Sequence, residues 1–236
     1  AKSNGSFDIS KKYLALAVAK EVPSKDGKSL IANPYKKWSD IDASLPNREI
    51  IVYGPPKSSG TRDAFEELVM QSTFKKMSVY TDLYKADKKA NKKYKKYSVV
   101  RTDGAYVESG ENDNLIVQKL DKNRAAFGVF GFSFLIENED KVAGSTIDGV
   151  APTPETISSS KYPVARSLFF YVKNSHESKV PAIKDYVNLF MSDDMIGPDG
   201  ILTEIGLIAL PEAQREAMRT SVLSKQKLTL DALSKH

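Results

Sequence analysis

The chain predicts an α/β layered fold, and three observations predict it. Short β-branched or aromatic runs alternate with stretches whose apolar residues recur at helical spacing. Glycine and proline clusters punctuate the alternation. Residues 49–69 pass from strand through a tight loop into helix in one short segment, the basic unit of such a fold.

The elements follow in order. Residues 8–20 read as a helix, with Asp8 or Ser10 as cap and Tyr13, Leu14, Leu16 and Ala17 on its apolar side. Residues 23–48 are rich in Pro, Lys, Asp and Asn and read as loop, with Trp38 as a packing anchor. Ile50, Ile51 and Val52 are β-branched and apolar, which suits a buried strand. Gly54-Pro55-Pro56 ends that strand, because proline cannot donate to a ladder. Ser58-Ser59-Gly60-Thr61 then opens a helix whose apolar positions are Ala64, Phe65, Leu68 and Val69.

A helix N-terminus carries unpaired N–H groups and the positive end of the helix dipole. Hydroxyl residues there add donors, and Gly60 lets the backbone approach a ligand closely. Arg62 adds a planar fork that suits an oxyanion. The segment reads as an anion site. The same residues also make an ordinary N-cap, and the pattern alone leaves both readings open.

Residues 73–101 are strongly basic, with Lys85, Lys88, Lys89, Lys92, Lys93, Lys95 and Lys96 interleaved with tyrosines. A lysine-rich exposed helix face is the plain reading; polyanion binding through residues 85–96 is the alternative. No recognisable nucleic-acid fold surrounds the run, so no nucleic-acid partner is expected. Residues 99–101 read as a short strand. Gly110-Glu-Asn-Asp113 starts a helix backed by Leu115, Ile116, Val117 and Leu120, a second capped terminus able to face the same cleft. Residues 126–135 alternate small and aromatic side chains and read as a strand. Residues 148–162, with two prolines and Ser158-Ser-Ser160, read as a boundary. Ser167-Leu-Phe-Phe-Tyr-Val172 is a β-forming run, residues 181–191 a helix, Gly197-Pro-Asp-Gly200 a turn, and Pro211 the first turn of a further helix.

Composition removes several function classes. The 236 residues contain no cysteine, which removes disulfides, thiolate metal sites and a cysteine nucleophile. Two histidines, His176 in a polar turn and His236 at the end, make no metal cluster and a poor base for a serine nucleophile. A net charge of +5 favours anionic partners only weakly. No run of 18 apolar residues occurs, and no secretory signal peptide is visible.

Several segments carry a family resemblance, in order along nearly the whole chain. They are Tyr13-Leu-Ala-Leu-Ala17, Asn33-Pro-Tyr-Lys-Lys-Trp38, residues 54–65, residues 103–117, Ala126-Phe-Gly-Val-Phe-Gly-Phe132 and residues 162–171. The chain resembles the periplasmic phosphate-binding proteins that serve ABC transporters, the PstS family. That resemblance implies a periplasmic-binding-protein-like (class II) two-lobe α/β fold that closes on its ligand like a hinge. Residues 1–160 would form mostly one lobe carrying the anion loop. Residues 163–236 would supply a crossover strand and the C-terminal part of the second lobe. Family members begin with a further N-terminal segment, so one lobe is expected to be incomplete, with exposed apolar surface where that segment packs.

The implied function is capture of inorganic phosphate for a membrane ABC permease in the periplasm or another extracytoplasmic compartment, with no enzymatic step and no cofactor. The ligand role carries over to Ser59, Gly60, Thr61 and Arg62. One departure concerns arginine: some relatives place it before Ser-Gly-Thr, where Pro55 and Pro56 stand here. Phosphate is selected over sulfate by an acceptor for its proton. The resemblance places that carboxylate in the N-terminal segment and leaves Asp63 at most a supporting role. A phosphatase-like hydrolase using Ser59 or Thr61 is the enzymatic alternative, and it lacks an obvious base.

Overall fold

The computed structural model describes residues 7–89 and 99–230. These divide into two compact units. The first runs up to Thr156 and adds Ser160–Arg166; the second is Ile157–Ser159 with the chain from Ser167 onward.

The first unit is built around α1 (Lys11–Val18) and a parallel sheet. Ser10 caps α1, its hydroxyl oxygen accepting from the Tyr13 N–H at 3.1 Å. Asp8 lies instead in β1 (Asp8–Ile9), which pairs in parallel with β7 (Thr146–Ile147). Five consecutive residues of α1, Leu14 to Val18, are buried, as a helix apolar on every side must be. An antiparallel hairpin, β2 (Glu21–Pro23) and β3 (Leu30–Ala32), follows. Then comes α2 (Trp38–Ile41). Trp38 is the expected packing anchor: it is buried, with its ring 4.9 Å from that of Phe127.

The central sheet is β4 (Val52–Gly54), flanked by β5 (Tyr106–Glu108) and β6 (Phe127–Gly128) in the order β5-β4-β6, all parallel. From β4 the chain enters α3 (Gly60–Phe65). It continues through a π-helical turn over Glu66–Gln71 and α4 (Ser72–Phe74). Phe65, Val69, Met70 and Phe74 from this run are buried with α1, Val52, Tyr80 and Tyr106 in the larger core cluster. A smaller cluster joins Ile116, Val117 and Leu120 of α6 (Asp113–Lys122) to Ala126 and Val142.

Arg101, 3% exposed, knits three segments of this unit. It donates to the carbonyls of Ala17 at 3.2 Å and Tyr35 at 2.8 Å, and its Nε meets Asp103 at 2.7 Å. The guanidinium holds the Asp103 carboxyl far below the ordinary carboxylate range.

Four sequence expectations are corrected. The strand of the anion segment begins at Val52, later than Ile50, and includes Gly54. Residues 99–101 form a single bridge, Ala19 to Val100, because the partner segment offers only Ala19 and Lys20 between the end of α1 and the start of β2. The strand expected over 126–135 stops after Gly128, and α7 (Phe132–Glu137) replaces its second half, with Gly131 at its N-cap. The run Ser167-Val172 joins no sheet; Leu168 is 66% and Tyr171 71% exposed. High β propensity describes fitness for a pleated, half-buried surface and cannot supply a neighbouring strand. Of the lysine run, Lys85, Lys88 and Lys89 lie on α5 (Ser78–Lys89), whereas Lys92, Lys93, Lys95 and Lys96 lie outside the described residues.

Along the chain, α8 (Pro154–Ser158) spans the division, with Thr156 in the first unit and Ile157 in the second. The second unit is helical: α9 (Ala182–Phe190), α10 (Asp193–Ile196), α11 (Ile201–Glu204) and α12 (Glu212–Leu223). Arg219 of α12 ties it together, pairing with Asp193 at 2.7 Å and donating to the Met191 carbonyl at 2.8 Å. Phe170 packs edge-on against Phe190, centroids 4.5 Å apart. Leu189, Tyr186, Ile201 and Ile205 remain exposed.

Candidate anion site

Three parallel strands running the same way end at one edge of the sheet, and each hands the chain to a helix start. β4 leads to α3, β5 to α6 and β6 to α7. The edge outside the carboxyl ends of parallel strands is where open α/β sheets take ligands. Central strand β4 places the Pro55 to Ser59 loop in the middle of that edge.

The loop's shape follows from Gly54 and Pro55. A Cβ on Gly54 would lie 2.1 Å from the Tyr106 hydroxyl oxygen, so only glycine lets β4 pass that ring. The buried Pro55 carbonyl accepts from the Tyr106 hydroxyl at 3.0 Å and from Arg62 Nη1 at 3.3 Å. The chain then turns, the Ser59 N–H donating to Pro56 O at 3.0 Å. Ser59 is the N-cap, its hydroxyl oxygen accepting from the Thr61 N–H at 3.2 Å. The first regular helical bond runs from the Asp63 N–H to Ser59 O. The N–H groups of Gly60 and Arg62 therefore precede the ladder. The Ser59 hydroxyl keeps its own proton to donate.

The four residues named from sequence occupy two levels. Ser59, Gly60 and Thr61 form the first turn, with Gly60 exposed at the surface. The Arg62 side chain lies beneath, 3% exposed. Its Nε donates to Glu66 at 2.7 Å, its Nη1 stands 3.6 Å from Glu108, and its guanidinium lies 4.4 Å above the Tyr106 ring centroid.

The second capped helix does stand beside this loop. Ser58 donates to Glu111, and the Ser109 N–H donates to Gly54 O at 2.9 Å. Asn112 caps α6 through the Asn114 N–H at 2.9 Å. Asp113, buried, accepts from the Gly131 N–H at 3.0 Å and so joins the starts of α6 and α7. Burial pushes its carboxyl pKa up, against the lowering effect of that N–H.

One residue at the loop was not singled out from sequence. Arg166 Nη2 donates to the Gly60 carbonyl at 3.3 Å, across more than a hundred residues of chain. Its position directly before an apolar β-forming run gave no sign of that destination. Among the described residues no group of three or more acidic or histidine side chains is placed to hold a metal ion. No described helix is long and apolar enough to cross a membrane.

The model of the PBP superfamily domain matches residues 1–194. The chain belongs to this family. It is 28% identical over 198 residues to phosphate-binding protein PstS of Staphylococcus haemolyticus, covering 82% of this chain and 52% of that protein. With PstS of Staphylococcus aureus (strain bovine RF122 / ET3-1) it shares 25% identity over 217 residues, 87% of this chain and 56% of the relative. The chain thus spans about half the length of the curated relatives it matches. Among solved structures it resembles "a possible phosphate binding protein" from Planctomyces limnophilus. The TM-score is 0.64 at 23% identity, over 94% of this chain and 66% of that one. PstS from Borrelia burgdorferi gives a TM-score of 0.56 at 20% identity, over 88% and 65%. These likenesses establish the PBP-like α/β fold that the sequence predicted.

Proposed function

We propose that this PBP-family chain is the phosphate-binding part of an extracytoplasmic solute-binding protein that delivers inorganic phosphate to a membrane ABC permease. The observation that carries the reading is the first turn of α3 at the carboxyl edge of β4, with two N–H groups ahead of its ladder and hydroxyls beside them. Relatives named phosphate-binding protein PstS support it. Ser59, Gly60 and Thr61 meet the anion directly, and Arg62 braces the loop from below. The portion up to residue 160 serves as the loop-bearing lobe, and residues 163–236 as the crossover and part of the other.

Binding changes no covalent bond. Affinity comes from donors already fixed in place, which need no reorganisation when the charge arrives. Neutral N–H groups spread the charge without attracting a competing counterion as strongly as a bare cation does.

Calorimetric titration of the 236-residue chain with phosphate, at fixed ionic strength, tests the reading. Phosphate should bind, and Thr61→Ala should weaken it by about 1–3 kcal/mol, the value of a hydrogen bond to a charged group. Absence of phosphate binding, or a Thr61→Ala variant that binds as the parent does, would refute the assignment.

A further inference from the structure

We propose that Arg166, rather than Arg62, is the cation that meets the bound anion directly; the inference rests on the phosphate reading above. The two arginines at the loop have opposite surroundings. Arg62 is buried and sits within 4 Å of two carboxylates, Glu66 and Glu108. One positive charge between two negative ones leaves that group with a net negative charge. Its fork is already committed to Glu66 and the Pro55 carbonyl. Glu111, bonded to Ser58, adds another negative group at the rim. An anion entering here meets a favourable helix start and an unfavourable set of side chains.

Arg166 reverses that balance. It is exposed, and among the described residues no carboxylate lies within ion-pair distance of it. Its Nη2 is anchored on the Gly60 carbonyl at 3.3 Å. A Cβ on Gly60 would lie 3.9 Å from that nitrogen, in ordinary van der Waals contact, so the guanidinium sits directly against the first turn of α3. One donor of the fork is spent on the anchor, which fixes the plane of the rest, and the remaining donors are free for an oxyanion. Arginine suits this double duty because its donors are rigidly spaced. Lys57, exposed on the same loop, carries equal charge on a flexible stem with no such anchor.

The test compares four variants of the full 236-residue chain by phosphate calorimetry at two salt concentrations, with thermal melts alongside. Arg166→Gln should weaken phosphate binding about tenfold, the loss of a charge-assisted contact. Arg166→Lys should recover only part of it. Lys57→Gln should cost much less, because an unanchored exposed charge is screened. Thr61→Ala reports on the site itself. If Thr61→Ala weakens binding and Arg166→Gln does not, the inference about Arg166 fails and the site stands. If Lys57→Gln costs as much as Arg166→Gln, general charge explains the effect and direct contact is refuted. If neither Thr61→Ala nor Arg166→Gln changes binding, the phosphate site is misplaced and this inference falls with it. Should Arg166→Gln melt early, Arg166→Lys decides: affinity equal to the parent's overturns the proposal, because a lysine cannot hold the carbonyl and the anion in one plane.

Discussion

Arg62 and Tyr106 donate to the same acceptor, the Pro55 carbonyl, from 3.3 and 3.0 Å, while the guanidinium carbon lies 4.4 Å over the phenol ring. Two residues from neighbouring elements thus fix the carbonyl on which the loop before α3 turns. Cation–π contact and a shared acceptor make the arrangement a unit, so changes to either partner should be non-additive.

Tyr106→Phe keeps the ring beneath Arg62 and removes one donor. It should cost about 0.5–1.5 kcal/mol of stability in urea unfolding. Gly54→Ala should cost at least as much, because its methyl would overlap the Tyr106 hydroxyl at 2.1 Å. In Gly54→Ala combined with Tyr106→Phe, part of that overlap is relieved. A double variant whose loss equals the sum of the singles would show that the two residues do not share the site as described.

Ser59 and Thr61 should separate stability from binding. Ser59→Ala removes the N-cap of α3, for about 1 kcal/mol of stability, and also one of the proposed anion donors. Thr61→Ala should leave the unfolding midpoint nearly unchanged, because its hydroxyl has no partner among the described residues. Equal thermal losses in the two variants would contradict the capping geometry.

Asp113 holds the Gly131 N–H from a buried position. Asp113→Ala leaves that donor without its partner and should destabilise by about 1–3 kcal/mol. Asp113→Asn retains an acceptor and should recover most of the loss. Amide exchange at Gly131, faster in Asp113→Ala than in Asp113→Asn, is the local readout; identical exchange would exclude the link between the starts of α6 and α7.

Acid stability should depend on Asp103. Its folded pKa is depressed, first by the hydrogen bond from Arg101, against the opposing effect of burial. A depressed carboxylate stabilises the fold above its unfolded value, about 3.9, and loses that contribution as pH falls toward the folded value. Asp42, held at about 2 chiefly by the Ser44 hydroxyl and then by Tyr13, loses its share in the same window. Asp103→Asn should therefore flatten the fall in stability below about pH 4, and adding Asp42→Asn should flatten it further. Unchanged acid unfolding curves in both variants would show that the Arg101 pairing contributes nothing.

Local chemistry made a good part of this protein legible in its sequence. The cap at Ser10, the anchor at Trp38, the capped starts at Ser59 and Asn112, and the helix apolar faces all depend on residues a few positions apart. The motif around Ser59-Gly60-Thr61, with the resemblance it carries, pointed to the family. What needed the tertiary structure was every relation across distance. β propensity in residues 167–172 could not reveal that no strand lies alongside. The aromatic alternation of 126–135 could not show that Gly131 turns the chain into a helix anchored on Asp113. Above all, sequence spacing put Arg62 next to the anion loop and Arg166 far from it. Folding sets their positions, because Glu66, Glu108 and Tyr106 draw Arg62 inward while Arg166 donates to the Gly60 carbonyl from the surface. Burial and ion pairing are properties of a packed neighbourhood, and only the fold assembles one.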